Sequence, residues 1–180
     1  IAPTGTISII AGTSSGIEPL FALAFFRRVL GGVSLFEVNS VFEEFLKERG
    51  LYSDELMREV ARVGSIKYVE GIPEDIKRIF VTALDIDVDW HVKMQAVFQE
   101  FTDNAVSKTI NLRYEASPED VKRAFILAYK LKCKGITVYR YGSKGEQVLY
   151  IGAPTKRTPQ GVIELGPEDT GSCPKGVCRI

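Results

Sequence analysis

The sequence predicts an α/β fold, and three observations carry the prediction. A short strand over Thr109, Ile110, Asn111 and Leu112 is followed by a helix over residues 118–132 and by the β-branched run Ile136-Thr137-Val138-Tyr139. Strand, crossover helix, strand is the pattern of a parallel sheet. At the start, Ile1 and Ala2 read as a strand end that runs into a turn of small residues and a short helix. The composition, 45% hydrophobic and 26% charged over 180 residues, is that of a globular chain long enough to bury a core.

Taken in order, Pro3 and Gly5 punctuate the first turn, and the hydroxyls of Thr4, Thr6 and Ser8 suit a helix start. A second small-residue loop follows at Gly12-Thr13-Ser14-Ser15-Gly16. Residues 20–30 are apolar nearly all round, which predicts a buried helix ended by Gly31 and Gly32. Val41, Phe42, Phe45 and Leu46 recur at helical spacing, with Asn39 or Ser40 as cap and Gly50 as stop. Ser53, Asp54 and Glu55 open another helix that reaches Val63. Two segments share a pattern, Pro73-Glu74-Asp75-Ile76-Lys77-Arg78 and Pro118-Glu119-Asp120-Val121-Lys122-Arg123. Pro at the first helical position, acids in the first turn and bases in the second are ordinary helix-start chemistry, which explains the likeness without a duplication. Between them, residues 89–105 form a long amphipathic helix, and residues 147–151 add an edge strand. From Gly152 onward Pro, Gly, Lys and Thr dominate and no period holds beyond Val162-Ile163, so a mobile tail is expected.

Charge is balanced, with 23 Lys and Arg against 23 Asp and Glu, so nothing argues for a nucleic-acid partner or an acidic membrane surface, and phosphate recognition has to be local. The longest apolar runs are too short to cross a bilayer, and the opening residues carry no signal-peptide pattern. Three cysteines, one mid-chain and two at the end, do not make a secreted disulfide framework. The expected location is cytoplasmic. A start at Ile1 without Met leads us to expect a fragment or a processed product.

Two places carry candidate chemistry. In the turn made by Pro3, Thr4, Gly5, Thr6, Ile7 and Ser8, small residues let successive amides point at one spot, and the helix that follows adds partial positive charge, so the turn could hold a phosphate. The same residues are also common turn chemistry. At the other end, Cys173 and Cys178, with Pro174, Lys175, Gly176 and Val177 between them, close too short a loop to stabilise a fold but can meet as a disulfide, which suggests a dithiol that cycles. The alternatives are an incidental exposed pair or a zinc site, and for zinc only Cys133 and His91 remain as further ligands, so no metal is expected. His91 is expected in a structural or surface role, Tyr139, Tyr141 and Tyr150 as packing residues, and Lys108 as an exposed lysine.

In their order these motifs resemble the C-terminal portion of the ribonucleotide reductase large chain, over nearly the whole sequence. Pro3-Thr4-Gly5-Thr6 resembles that family's substrate-phosphate loop, and Ser15-Gly16-Ile17-Glu18-Pro19 the stretch that follows it. Arg27-Arg28-Val29-Leu30, Val38-Asn39, Glu48-Arg49-Gly50-Leu51 and Ser107-Lys108-Thr109-Ile110-Asn111-Leu112 fall in the family's order. The terminal Cys173 and Cys178, followed by Arg179 and Ile180, are similar to the tail pair that relays electrons. Ser40 stands where Pro is usual, a departure that touches no chemistry. The strand at Gly135-Ile136-Thr137-Val138-Tyr139-Arg140 is similar to the adenosylcobalamin-dependent branch, because Thr137 and Val138 replace the tyrosine pair through which the oxygen-dependent branch passes a radical. Tyr141 departs from the acidic residue usual in that branch.

The resemblance implies a fold and a role. Residues 1–151 would be the C-terminal part of a ten-stranded α/β barrel, and residues 152–180 a flexible tail with the redox cysteine pair. The whole enzyme would convert ribonucleoside di- or triphosphates to deoxyribonucleotides by radical chemistry. Its partners would be the rest of the reductase chain, a thioredoxin-like reductant and a second copy in a homodimer, with no membrane or nucleic acid. The cysteines on which the radical and the ribose reduction depend are absent from this stretch, so the segment is expected to be inactive alone. The competing reading is a nonenzymatic phosphate-binding or zinc-binding module.

Overall fold

A computed structural model describes residues 1–28, 34–144, 149–151, 155–158, 161–164 and 178–179. Along the chain run α1 (Gly5–Ala11), β1 (Ala24–Arg28), β2 (Ser34–Val38), α2 (Ser40–Glu48), α3 (Asp54–Val63), α4 (Glu74–Ile79), a 3-10 turn (Ala83–Asp85) and α5 (Val88–Glu100). Then come β3 (Thr109–Leu112), α6 (Pro118–Lys130), β4 (Thr137–Arg140), β5 (Leu149–Tyr150), β6 (Thr155–Thr158), β7 (Gly161–Glu164) and β8 (Cys178–Arg179). These elements divide into two units, one made of Ile1–Leu20 with Ala83–Gly145, the other of Phe21–Thr82 with Glu146–Ile180.

In the first unit β3 and β4 pair in parallel, from Thr109 opposite Thr137 to Leu112 opposite Arg140, with α6 as the crossover. Helix α6 starts as its sequence predicts: Pro118 occupies the first turn, Asp120 N–H donates to the Ser117 hydroxyl and the Asp120 carboxylate accepts Ser117 N–H. Its small residues Ala124 and Ala128 pack against Ile110 and Leu112 of β3 and Val88 and Val92 of α5. Helix α5 is shorter than expected, ending at Glu100, because Gln99 turns its amide onto the carbonyls of Thr102 and Asn104, both at 2.9 Å. Gln95, fully buried, donates to Val106 O at 3.0 Å and Gly135 O at 2.8 Å. Buried carbonyls require donors, so these two glutamines fix the loops that feed β3 and β4. Ile1 and Ala2, expected as a strand end, belong to no strand, but Ile1 is bonded to the backbone ahead of β3. Ile1 N donates to Ala105 O and Ser107 N–H to Ile1 O, each at 2.9 Å, the bonding pattern of a parallel ladder beside Val106.

In the second unit the sheet order is β5, β1, β2, β8, with β1 antiparallel to both β2 and β5 and β8 parallel to β2. Residues 20–30, expected as a buried helix, are instead extended at Ala24–Arg28. Burial was read correctly, since Ala22, Leu23 and Ala24 are 2% exposed or less. Period was not, because a run that is apolar throughout lacks the alternation that separates strand from helix. What decides is the partner: Phe26 stands opposite Phe36 of β2 with ring centroids 5.0 Å apart. Gly31 and Gly32 lie outside the described residues. Helices α2 and α3 begin where their caps predict, the Asn39 side chain accepting Phe42 N–H at 2.9 Å and the Ser53 hydroxyl Leu56 N–H at 3.1 Å. Phe42 and Phe45 both meet the edge of Phe80. In α4, Pro73 stands one position ahead of the helix rather than inside it. Of the expected edge strand at 147–151, Leu149 and Tyr150 pair with β1. Within the expected tail, β6 and β7 pair antiparallel. Among the described residues no helix is long and apolar enough to cross a membrane.

Candidate functional site

The turn at residues 3–8 rests on an unusual backbone. Thr4 adopts φ 52° and ψ 22°, the left-handed region that a β-branched residue rarely enters, and no side chain caps α1. The first helical bond runs from Ser8 N–H to Thr4 O at 3.0 Å, so the amides of Gly5, Thr6 and Ile7 have no partner within the helix. Pro3, Gly5, Thr6 and Ile7 are exposed, Thr4 is half-buried and Ser8 is buried. The Ser8 hydroxyl donates to Gly5 O at 2.7 Å, so Ser8 braces the turn from within. A Cβ at Gly5 would meet nothing within 4 Å among the described residues.

Behind the turn lies the loop at residues 12–18. The Ser15 hydroxyl donates to Pro3 O and stands 3.5 Å from the Thr4 hydroxyl. Gly16 has φ +51°, which favours glycine, and a Cβ there would lie 3.4 Å from Ala2 O, so the two loops run close together. Glu18 closes this loop with its own N–H on Ser15 O at 2.9 Å, and its carboxylate turns inward, accepting Thr109 N–H at 2.5 Å and the Lys108 ammonium at 3.2 Å.

Lys108, expected to be exposed, is 2% exposed and its ammonium has three acceptors: Glu18 Oε2, Thr109 O at 3.0 Å and His91 Nδ1 at 2.8 Å. The correction has a physical reason. Lys108 directly precedes a strand whose inward residues are core, and the carboxylate that makes its burial tolerable is 90 residues away in sequence. His91, expected as structural or surface, is structural. It is 1% exposed, and Nε2–H donates to Ala83 O at 2.9 Å. Nδ1 is therefore the acceptor for Lys108, and the imidazole is neutral. Burial holds the Lys108 ammonium below the usual lysine range, opposed by Glu18. Burial, then the Lys108 charge, does the same for His91. Sequence reasoning missed this cluster, although one signal was present. His91 falls on the stripe of α5 that buries Val88, Val92, Gln95 and Gln99, a place for polar groups only when they have partners.

At the tail, Cys178 lies in β8 with its backbone opposite Glu37 of β2, and Cys173 lies outside the described residues. Cys133 is free and half-buried, and burial pushes its thiol up.

A family model described as "Ribonucleotide reductase, barrel domain" matches residues 1–139. The chain belongs to this family. It is 58% identical over 167 residues to a vitamin B12-dependent ribonucleoside-diphosphate reductase of Thermoplasma acidophilum, covering 92% of this chain and 22% of that protein. A reductase of the same description from Mycobacterium tuberculosis is 44% identical over 180 residues, covering 100% of this chain and 25% of that one. The chain thus spans about a quarter of the length of these relatives. In fold it is similar to the Actinobacillus ureae class Id ribonucleotide reductase alpha subunit, with a TM-score of 0.65 at 23% identity over 79% of this chain and 26% of that one. The structure described above is thus a mixed α/β segment of the reductase barrel domain. In a reductase related to B12-dependent enzymes, a histidine could be asked to ligate cobalt. His91, the one histidine of the chain, has both ring nitrogens engaged and does not suit that role.

Proposed function

We propose that this segment serves a ribonucleotide reductase in two ways: its first turn holds the phosphates of the substrate, and its terminal cysteines relay electrons. The observation that carries the first role is the left-handed Thr4, after which the amides of Gly5, Thr6 and Ile7 have no partner within the helix and lie on exposed residues. The names of the relatives support a ribonucleoside diphosphate as substrate and vitamin B12 as cofactor. When bound, that cofactor supplies the means of starting a radical. His91, engaged at both ring nitrogens, is not suited to ligate it.

The reaction of the full enzyme replaces the ribose 2′-hydroxyl with hydrogen. Oxygen leaves as water, and a pair of thiols in the active site becomes a disulfide. Cys173 and Cys178 would restore that pair by thiol–disulfide exchange, becoming a disulfide themselves until a thioredoxin-like partner returns two electrons and two protons. Neighbouring Lys175 and Arg179 favour the thiolate that exchange requires. The enzyme would act in the cytoplasm, with a homodimer as its assembly.

Gly5→Val in the full-length reductase tests the phosphate role. Among the described residues a Cβ at Gly5 meets nothing within 4 Å, so the substitution leaves this segment's own packing intact. The expected result is a rise in the substrate KM of about tenfold or more, because a branched side chain keeps an anion from the amides. An unchanged KM and kcat would refute the assignment.

A further inference from the structure

We infer that Lys108, through Glu18 and Ser15, is a positioning residue that sets the shape of the phosphate-holding turn without touching the substrate. The inference rests on the reading of that turn given above. An ammonium has three hydrogens, and those of Lys108 go to Glu18, His91 and Thr109 O, so none is left for a phosphate. The role has to be mechanical. Contacts run without a break from Lys108 to Glu18, from Glu18 N–H to Ser15 O, and from the Ser15 hydroxyl to Pro3 O, next to Thr4. Ile1 is also bonded to Ala105 and Ser107, just ahead of Lys108, which ties the start of the turn to the same stretch of backbone.

A buried ion pair is a poor way to gain stability, since well-packed apolar side chains of similar volume do as well or better. What it supplies is direction. The Glu18 carboxylate is fixed at both oxygens, one by Thr109 N–H and the other by Lys108, and the loop carrying Ser15 is thereby held at one distance from β3. Thr4 sits in a strained conformation that persists only while its surroundings hold it. Releasing Glu18 lets the loop at residues 12–18 relax, and the turn can then leave the geometry in which its amides converge.

The test uses the full-length reductase with Lys108→Met, Ser15→Ala, the double variant, and Gly5→Val as reference. KM and kcat are measured for a ribonucleoside diphosphate, together with inhibition by inorganic pyrophosphate. Ser15→Ala removes one hydroxyl from an exposed loop and leaves the core intact. Ser15→Ala and Lys108→Met are each expected to raise KM and weaken pyrophosphate inhibition by roughly three- to tenfold, the worth of a lost hydrogen bond, with kcat changed less than about twofold. The double variant is expected to be no worse than Lys108→Met, because both break one chain of contacts. A fall in kcat at unchanged KM, as from a smaller folded fraction, would overturn the inference. So would unchanged KM in both single variants while Gly5→Val raises it, and in that case the phosphate reading stands. If Gly5→Val also leaves KM unchanged, the phosphate reading fails and this inference with it. Should Lys108→Met not fold, Ser15→Ala decides: a raised KM supports the inference and an unchanged one refutes it.

Discussion

A neutral imidazole is the only form of His91 that suits its surroundings, because a proton on Nδ1 would face the Lys108 ammonium at 2.8 Å. Burial and that charge lower its pKa, against weaker pulls from the Ala83 carbonyl, Glu18 and Asp87. The sign follows from linkage. Above about pH 6.5 the histidine is neutral in both folded and unfolded chains, and its titration costs the fold nothing. Below that value the unfolded chain takes the proton first, and stability falls until the lower folded pKa is reached, by at most about 1.4 kcal/mol per pH unit. Thermal melting of the full-length chain between about pH 7.5 and 5.5 should therefore show a steeper loss for wild type than for His91→Gln, and parallel curves would count against the neutral assignment. Neither this pair nor Glu18 was legible as a cluster in the sequence. Lys108 reads as a surface residue until Glu18 is placed beside it, and spacing along a chain does not show a contact between residues so far apart.

Most helices were legible because their ends carry local chemistry. Asn39, Ser53 and Ser117 each cap where a polar residue precedes an apolar period, and the Pro118 segment led directly to the parallel pair of β3 and β4. The stretch containing β1 was misread because its structure is decided by β2, which the sequence reading did not recognise as a strand. For α6 the capping box makes a quantitative expectation. Ser117→Ala removes the side chain that accepts Asp120 N–H and leaves the Asp120 carboxylate with one partner fewer. The loss should be about 1 kcal/mol, measured as a lower denaturation midpoint with unchanged cooperativity and faster amide exchange in the first turn of α6. An unchanged midpoint would mean that core packing alone holds this helix end.

Across the whole molecule, motif order was legible and assembly was not. The ordered motifs pointed to the family that the comparison then showed, yet nothing local announces that residues 1–20 join residues 83–145 in one unit. The proposed electron relay belongs to this scale, because it links the end of the chain to an active site elsewhere in the full enzyme. Tethering gives the tail thiols an effective concentration on the order of millimolar, so a dithiol that docks only weakly still exchanges efficiently. Changing both Cys173→Ser and Cys178→Ser should lower thioredoxin-driven turnover by on the order of a hundredfold. It should spare a single turnover and spare activity with a small dithiol that enters the site directly. Undiminished thioredoxin-driven turnover would make the terminal cysteines bystanders.

The contact between Glu18 and Lys108 also has a meaning in time. The turn is made first, but what shapes it is made 90 residues later. At a synthesis rate of about 5–20 residues per second the early loops wait on the order of 5–20 s for their anchor, whereas a helix forms within about a microsecond. Thr4 cannot be held in its strained conformation during that interval, and α1 can form and dissolve many times before β3 arrives. Within this segment, the turn proposed to grip the substrate is thus synthesised before the lysine that holds its shape.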